Sequence, residues 1–268
     1  MPKVHMVSFA DRRLHKSLTR LKNQAQLFGF SSINLMNETH LSTAYVRDFN
    51  WFLNDVNMYL CAWKPQVALQ VMSKIEDGDY LFYTDVGSHL NAKGIKRFSE
   101  YIDMMESDGK NLLVSELDLD NPESRWTKGD VLRYFGIWGN EKAMNLPHLQ
   151  ATFFIVRKCP EIMSFFQKWK EIFLEHPELV FRDKGQGPNA LNFEEHRSDQ
   201  SFFSLLAKQT SVISIDAKEV QGSAAWETDM IDFPIWAKRD KVWDHSFWAR
   251  PSFTLLKRTL VKKILGKR

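Results

Sequence analysis

Two aspartates carry most of the chemical promise in this chain. Asp85 follows the run Gly78-Asp79-Tyr80-Leu81-Phe82-Tyr83-Thr84 and is followed by Val86-Gly87. Asp199 opens Asp199-Gln200-Ser201-Phe202-Phe203, 114 positions later. An apolar strand ending at Thr84-Asp85 delivers a carboxylate to its carboxyl end, where open α/β sheets bind their ligands. A carboxylate there can hold a divalent cation that bridges a diphosphate, or simply cap a turn. Gly87 lets the backbone turn sharply or lie close against a neighbour. Ser198 or Asp199 is placed to cap the helix that begins there.

The elements that must position these residues alternate. Val4–Phe9, Ser32–Met36, Tyr80–Thr84, Asn111–Ser115, Ala151–Arg157 and Ser211–Ile215 read as strands. Asp11–Phe28, Tyr45–Leu60, the segment from Pro65 to Gly78, Ile95–Glu106, Glu161–Glu175 and Asp199–Lys208 carry helical spacing. Gly29 stops the first helix. The alternation predicts one α/β domain over 1–249, a mostly parallel sheet with helices on both faces. Asp118–Trp126 and Val180–His196 are long irregular stretches, the kind that carry sites.

Hydrophobic residues make up 44% of the 268 and charged residues 26%, enough apolar material for a sizeable core. Cys61 and Cys159 show no metal spacing and suit a reducing compartment. No signal peptide or apolar run of membrane-spanning length is expected, which predicts a cytoplasmic protein. The net charge of +3 is unevenly spread. Residues 250–268 hold seven Lys or Arg and no acid, leaving 29 basic against 33 acidic side chains in the body. A slightly acidic body argues against nucleic acid as a partner. No GxGxxG follows the first strand and no GxxxxGK[ST] occurs, which argues against a dinucleotide-binding Rossmann domain and a P-loop enzyme.

The order of elements, with an aromatic strand ending in an acidic turn, resembles the glycosyltransferases of the GT-A fold. The run Asp85-Val86-Gly87-Ser88-His89-Leu90-Asn91 is similar to bacterial and viral glycosyltransferase-like sequences with an Asp-x-Gly-x-x-Leu-Asn turn. The resemblance implies a nucleotide-sugar donor, a UDP-sugar above all, and catalytic roles for Asp85 and Asp199. In the wider fold the turn is Asp-x-Asp and both acids serve manganese or magnesium. Here Gly87 stands in the second position. A one-carboxylate cation site and a metal-free site neutralised by Lys or Arg both remain open.

The same resemblance marks further residues. Gln200 with Asp199 matches the Asp-Gln at a late helix start found beside the donor sugar, as in the glycogenin-like retaining group. Asp199 would then accept hydrogen bonds from sugar hydroxyls or face the anomeric carbon, with Arg197 and His196 meeting the diphosphate. Thr84 and Gly87 would lie against the donor, and Gln150 or Thr152 beneath the donor sugar. Ser8, Ala10 and Arg12 would meet the nucleoside and phosphate after the first strand, with Lys64 near the next helix. By residue type alone, Trp126 beside Arg125 and Thr127 suits stacking on an acceptor sugar, or packing on the neighbouring helix. His245 would return to complete a metal site with Asp85, with His5 and His40 as substitutes. An inverting enzyme would need a base, for which Asp199, Glu116 and Asp118 are candidates; a retaining one would not need it there.

The tail is a separate unit. Phe253, Leu256, Leu260, Val261 and Ile264 fall on one helical face, with six Lys or Arg on the remainder. A basic amphipathic helix of this kind lies on anionic membrane surfaces. It predicts a peripheral protein on the inner face of the membrane, with a glycan or lipid-linked glycan acceptor in cell-surface polysaccharide or lipopolysaccharide synthesis. Two rivals stand beside this. A sugar nucleotidyltransferase needs a glycine-rich basic loop after the first strand, which Ser8-Phe9-Ala10-Asp11-Arg12 lacks. A non-catalytic membrane-associated protein keeping the fold is the other.

Overall fold

The structure is a computed structural model, and residues 2–50 and 60–244 are described. The strands are β1 (Val4–Phe9), β2 (Ser32–Met36), β3 (Tyr80–Thr84), β4 (His89–Leu90), β5 (Leu112–Glu116), β6 (Leu149–Arg157), β7 (Val212–Asp216) and β8 (Ile235–Trp236). Six of them form one sheet in the order β2-β1-β3-β6-β5-β7, and β4 pairs with β8. The β1/β2, β1/β3 and β5/β7 pairs are parallel. Strand β6 runs antiparallel between β3 and β5, with Phe82 opposite Ile155 and Leu113 opposite the same residue on the other side.

The helices are α1 (His15–Ala25), α2 (Thr43–Asp48), α3 (Lys64–Met72), α4 (Ile95–Ser107), α5 (Glu123–Trp126), α6 (Gly129–Tyr134), α7 (Glu141–Met144), α8 (Pro160–Glu175), α9 (Pro177–Val180), α10 (Asp199–Ala207) and α11 (Lys218–Gln221). The sheet separates two apolar cores. Val67, Phe154, Phe166, Trp169 and Phe203 belong to one, under α3, α8 and α10. Leu21, Phe82, Phe98, Tyr101 and Ile155 belong to the other, under α1 and α4. Strand β3 is buried at all five positions, as a central strand covered on both faces must be. Each fully buried Phe or Leu contributes roughly 1.5–3 kcal/mol of transfer free energy, so the sheet is firmly fixed between its helices. The turns at its carboxyl edge therefore sit on a rigid base.

Several boundaries differ from the sequence expectation. The segment 11–28 is α1 flanked by 3-10 turns at Arg12–Leu14 and Gln26–Phe28, and it stops where Gly29 takes φ 71°. The helix expected from Pro65 to Gly78 begins one residue earlier and ends at Met72. Of the helix expected over Tyr45–Leu60, α2 covers the start, and residues 51–59 lie outside the described residues. His245 and the 250–268 tail also lie outside them. Among the described residues, no helix is long and apolar enough to cross a membrane.

Candidate functional site

Lys64 is the hub of the site. It starts α3, yet it is only 3% exposed. Its Nζ lies 2.7 Å from Asp199 Oδ2 and 3.3 Å from Asp85 Oδ1. It also donates to the carbonyl of Ala151 at 2.9 Å. Burial disfavours the ammonium, and the positive end of a helix disfavours it further. Burial alone pulls its pKa down, but Asp199 and then Asp85 outweigh that and push it well above the ordinary lysine value. The lysine is therefore a fixed cation that bridges two carboxylates.

Each carboxylate reaches Lys64 from a different element. Asp85 follows β3, and its amide donates to the carbonyl of Thr152 on β6 at 2.8 Å. Tyr83, on the same strand, donates its hydroxyl to Asp85 Oδ1 at 2.6 Å. That leaves Asp85 the more open of the two acids, its side chain 34% exposed against 6% for Asp199. Asp199 is the first residue of α10, where the helix dipole favours a carboxylate. Ser198 before it takes φ 46° and ψ −119°.

A cavity of about 330 Å³ opens over this triad. Five cations line it: Lys64, Arg182, Arg197, Arg239 and Lys241. Three acids do so: Asp85, Glu195 and Asp199. A second hollow of about 360 Å³ adjoins it and shares Cys61, Asp85, Arg182 and Lys241. Phe9, Ala10, Leu14, Trp63 and Trp243 form its walls. Phe9 and Trp63 stack with ring centroids 4.2 Å apart, and the Arg13 guanidinium lies 5.2 Å from the Trp243 ring. The two hollows make one trough at the carboxyl end of β1 and β3. A larger hollow of about 490 Å³ lies beside edge strand β2, lined by Asn34, His40, Gln70 and Lys74. It holds no carboxylate.

Backbone strain gathers around the trough. Among the described residues, Cys61, Ser198 and Arg239 are the non-glycine residues with positive φ, at 57°, 46° and 56°. Such conformations cost about 1–3 kcal/mol each and persist where the surroundings hold them. Two of the three line the cavity, and the third precedes Asp199.

The segment after β8 forms a strap across the Asp85 turn. Ahead of β8, Asn91 holds the incoming chain by donating to the carbonyls of Ile231 at 2.6 Å and Phe233 at 3.0 Å. The amide of Asp240 donates to the carbonyl of Gly87 at 2.9 Å. The Asp240 carboxylate meets Arg20 and His89, each at 2.9 Å. A Cβ on residue 87 would sit 3.3 Å from Arg239 Cα and 3.4 Å from Lys241 Cε. The glycine thus admits the strap, and the strap brings Arg239 and Lys241 to the cavity. The Asp-x-Gly-x-x-Leu-Asn run acquires a physical sense: Asp85 faces the cavity, Gly87 makes room, and Leu90-Asn91 hold β8.

The structure brings Asp85, Gly87, Lys64, Arg197, Asp199 and Gln200 to one cavity, with Thr152 beside them. Gln200 Nε2 is buried there with no protein hydrogen-bond partner among the described residues. Ala10 lines the adjoining hollow. Other expected residues are elsewhere. Arg12 turns away to pair with Glu38 at 2.9 Å, and its neighbour Arg13 lines the hollow instead. Ser8 is fully buried and donates its hydroxyl to the carbonyl of Thr84. Thr84 is itself fully buried, and its Oγ1 has no partner among the described residues. Gln150 accepts from Ser115 at 2.8 Å inside the sheet.

His196 is buried with Nε2 3.0 Å from the carbonyl of Leu179, so it faces the core and no anion. Trp126 is 6% exposed, with the guanidinium groups of Arg197 and Arg125 3.6 Å and 4.9 Å from its ring, too buried to offer a stacking surface to an acceptor. His5 pairs with Asp79, and His40 bonds Asn37. Glu116 and Asp118 do not line either hollow. Arg182, Glu195, Arg239, Lys241, Trp63 and Trp243 entered no sequence expectation. Most sit in irregular segments, where no periodicity assigns a direction to a side chain.

A divalent cation does not fit this donor set. Asp85 and Asp199 already share the Lys64 ammonium, and among the described residues no group of three His, Cys, Asp or Glu could hold a metal ion.

No family model matches the chain, and no curated protein matches it in sequence. Among solved structures it is similar to a glycosyltransferase involved in the glycosylation of the major capsid of PBCV-1. That likeness has 11% identity, 88% of this chain and 94% of that one covered, and a TM-score of 0.45. It is also similar to mouse xyloside xylosyltransferase 1, at 9% identity, 88% and 97% coverage and a TM-score of 0.45. A third is the galactosyltransferase LgtC in complex with donor and acceptor sugar analogs. It shares 13% identity over 94% of each chain, with a TM-score of 0.49. Likeness this distant says nothing of the ligand or the reaction of this chain.

Proposed function

We propose that the chain is a glycosyltransferase that moves a sugar from a nucleoside diphosphate sugar, a UDP-sugar above all, to an acceptor hydroxyl. One observation carries the proposal: Asp85 and Asp199 share a buried lysine in a basic cavity that runs on into an aromatic-walled hollow. A ligand made of a polyhydroxylated ring, a diphosphate and a flat base matches that sequence of surroundings. The base would lie by Phe9, Trp63 and Trp243, and the diphosphate by the strap and Arg182. The sugar would lie over Asp85, where Gln200 can donate to a hydroxyl.

In the transfer, the acceptor oxygen bonds to the anomeric carbon and the bond from that carbon to the diphosphate oxygen breaks. Its electron pair stays on the diphosphate. The acceptor's proton passes to a base, and Asp85 and Glu195 are the cavity carboxylates that reach solvent. Positive groups aimed at the oxygen where charge develops lower the barrier. Asp199 is buried against Lys64 and fixes that cation.

The acceptor reading is a glycan or lipid-linked glycan of cell-surface polysaccharide assembly at the inner face of the membrane. The basic amphipathic pattern of 250–268 supports it. Replacing Lys262 and Lys263 by Glu should lower co-sedimentation with anionic vesicles roughly tenfold or more, at about 1 kcal/mol lost per basic residue. Equal sedimentation would remove the membrane from the proposal.

The reaction is tested by incubating the protein with UDP- and GDP-sugars and following release of the nucleoside diphosphate. Wild-type protein should release it from at least one donor, and Asp85→Ala should slow that by about a hundredfold. No release and no binding with any donor would sink the reading.

A further inference from the structure

We propose, resting on the donor reading above, that the diphosphate is neutralised by cations of the protein alone. Arg239 and Lys241 on the strap, with Arg182 and Arg197, take the charge, and Lys64 holds the place between Asp85 and Asp199 that a dication would need.

Three observations support this. First, both carboxylates are committed. Asp85 Oδ1 accepts from Tyr83 and faces Lys64, and Asp199 Oδ2 lies 2.7 Å from the same ammonium. A dication set between them would meet a buried, fixed positive charge at contact distance, where like charges repel strongly because water is largely excluded. Second, the position that could supply another carboxylate is closed. A side chain on residue 87 would press into Arg239 and Lys241, which the strap already places there. Gly87 thus exchanges an acid for the passage of two bases. Third, the strap is held in place. Asp240 is fixed by Gly87, Arg20 and His89, and Arg239 sits between these anchors and β8 with a strained φ of 56°. Neither Arg239 nor Lys241 forms an ion pair with a carboxylate among the described residues, so their charge remains available to an incoming anion.

The chemistry requires such charge. When the bond to the anomeric carbon breaks, the electron pair adds a negative charge to the diphosphate oxygen. Guanidinium groups meet phosphate oxygens with paired donors, and an ammonium serves as a point charge. A pre-set cluster of them acts without reorganising at the moment of reaction.

Calorimetric titration of metal-stripped protein with UDP and with GDP, once in EDTA and once with Mn²⁺, tests the proposal. At least one nucleotide should bind in EDTA with a Kd within about threefold of that in Mn²⁺. Arg239→Ala and Lys241→Ala should each weaken binding in EDTA by about tenfold, with thermal melting unchanged. Binding more than about tenfold tighter with Mn²⁺ overturns the metal-free site and leaves the donor reading standing. Unchanged Kd values in both folded variants overturn the strap's role. Failure of both nucleotides to bind in either buffer overturns the donor reading itself.

Discussion

The most consequential residue is Lys64, whose charge is buried and shared. Removing one member of such a set leaves an uncompensated charge in the interior, which costs about 3–5 kcal/mol. Lys64→Met should lower the melting temperature markedly. The double variant Lys64→Met/Asp199→Asn should recover much of it, and neither should bind a nucleoside diphosphate. Recovery of binding in the double variant would show that the lysine serves only packing. Glu123 has a similar standing behind the site. Burial raises its pKa, but His148 and Lys208 outweigh that and hold it down at about 2. A carboxyl depressed in the fold gives stability above its ordinary value of 4.5, lost as pH falls toward 2. It also accepts from Ser204 of α10. Glu123→Gln should therefore cost about 3–5 kcal/mol near neutral pH, measured by denaturant unfolding. Asp85 and Asp199 were legible in the sequence because a strand end and a helix start frame them. The bridge between them was not: Lys64 was expected to meet the nucleotide, and nothing in its place before Pro65 tells that it is buried against both acids. Arg12 and Arg13 show the same limit at one residue's spacing: the 3-10 turn swings adjacent side chains to different sides.

At the scale of elements, the strap and the turn beneath it act together. Gly87→Ala puts a methyl at 3.3 Å from the Arg239 backbone, closer than packing tolerates without movement. Asp240→Asn removes the charge that Arg20 and His89 hold. Both substitutions should raise the Kd for nucleoside diphosphate several-fold and increase hydrogen exchange over 237–242. Undisturbed exchange together with undisturbed binding would refute the strap's part. The alternation of strands and helices was readable from apolar periodicity. The reversed direction of β6 was not, because a run dominated by Phe153-Phe154-Ile155-Val156 carries no sign of its orientation. β8 and the strap escaped notice too. Two residues of strand give no period, and Arg239 and Lys241 gain meaning only from the glycine they cross.

Taken whole, the molecule sets a basic trough into a slightly acidic body. Donor binding should weaken steeply with added salt, as interactions among partly exposed charges are screened within about 10 Å at 0.1 M. His196 supplies a global pH response. Burial and then Lys128 depress its pKa well below 6.5, so the fold keeps the imidazole neutral. Stability is then fully present above that ordinary value and declines as pH falls below it. The melting temperature should drop between pH 6.5 and about 5, and His196→Gln should flatten that slope. A slope unchanged by the substitution would assign the response to other groups. The decisive measurement is a crystal structure of the protein with a nucleoside diphosphate sugar. The diphosphate should lie against Arg182, Arg239 and Lys241, the base beside Trp63 and Trp243, and the sugar over Asp85. A nucleotide seated away from this trough, such as in the hollow beside β2, would contradict this placement.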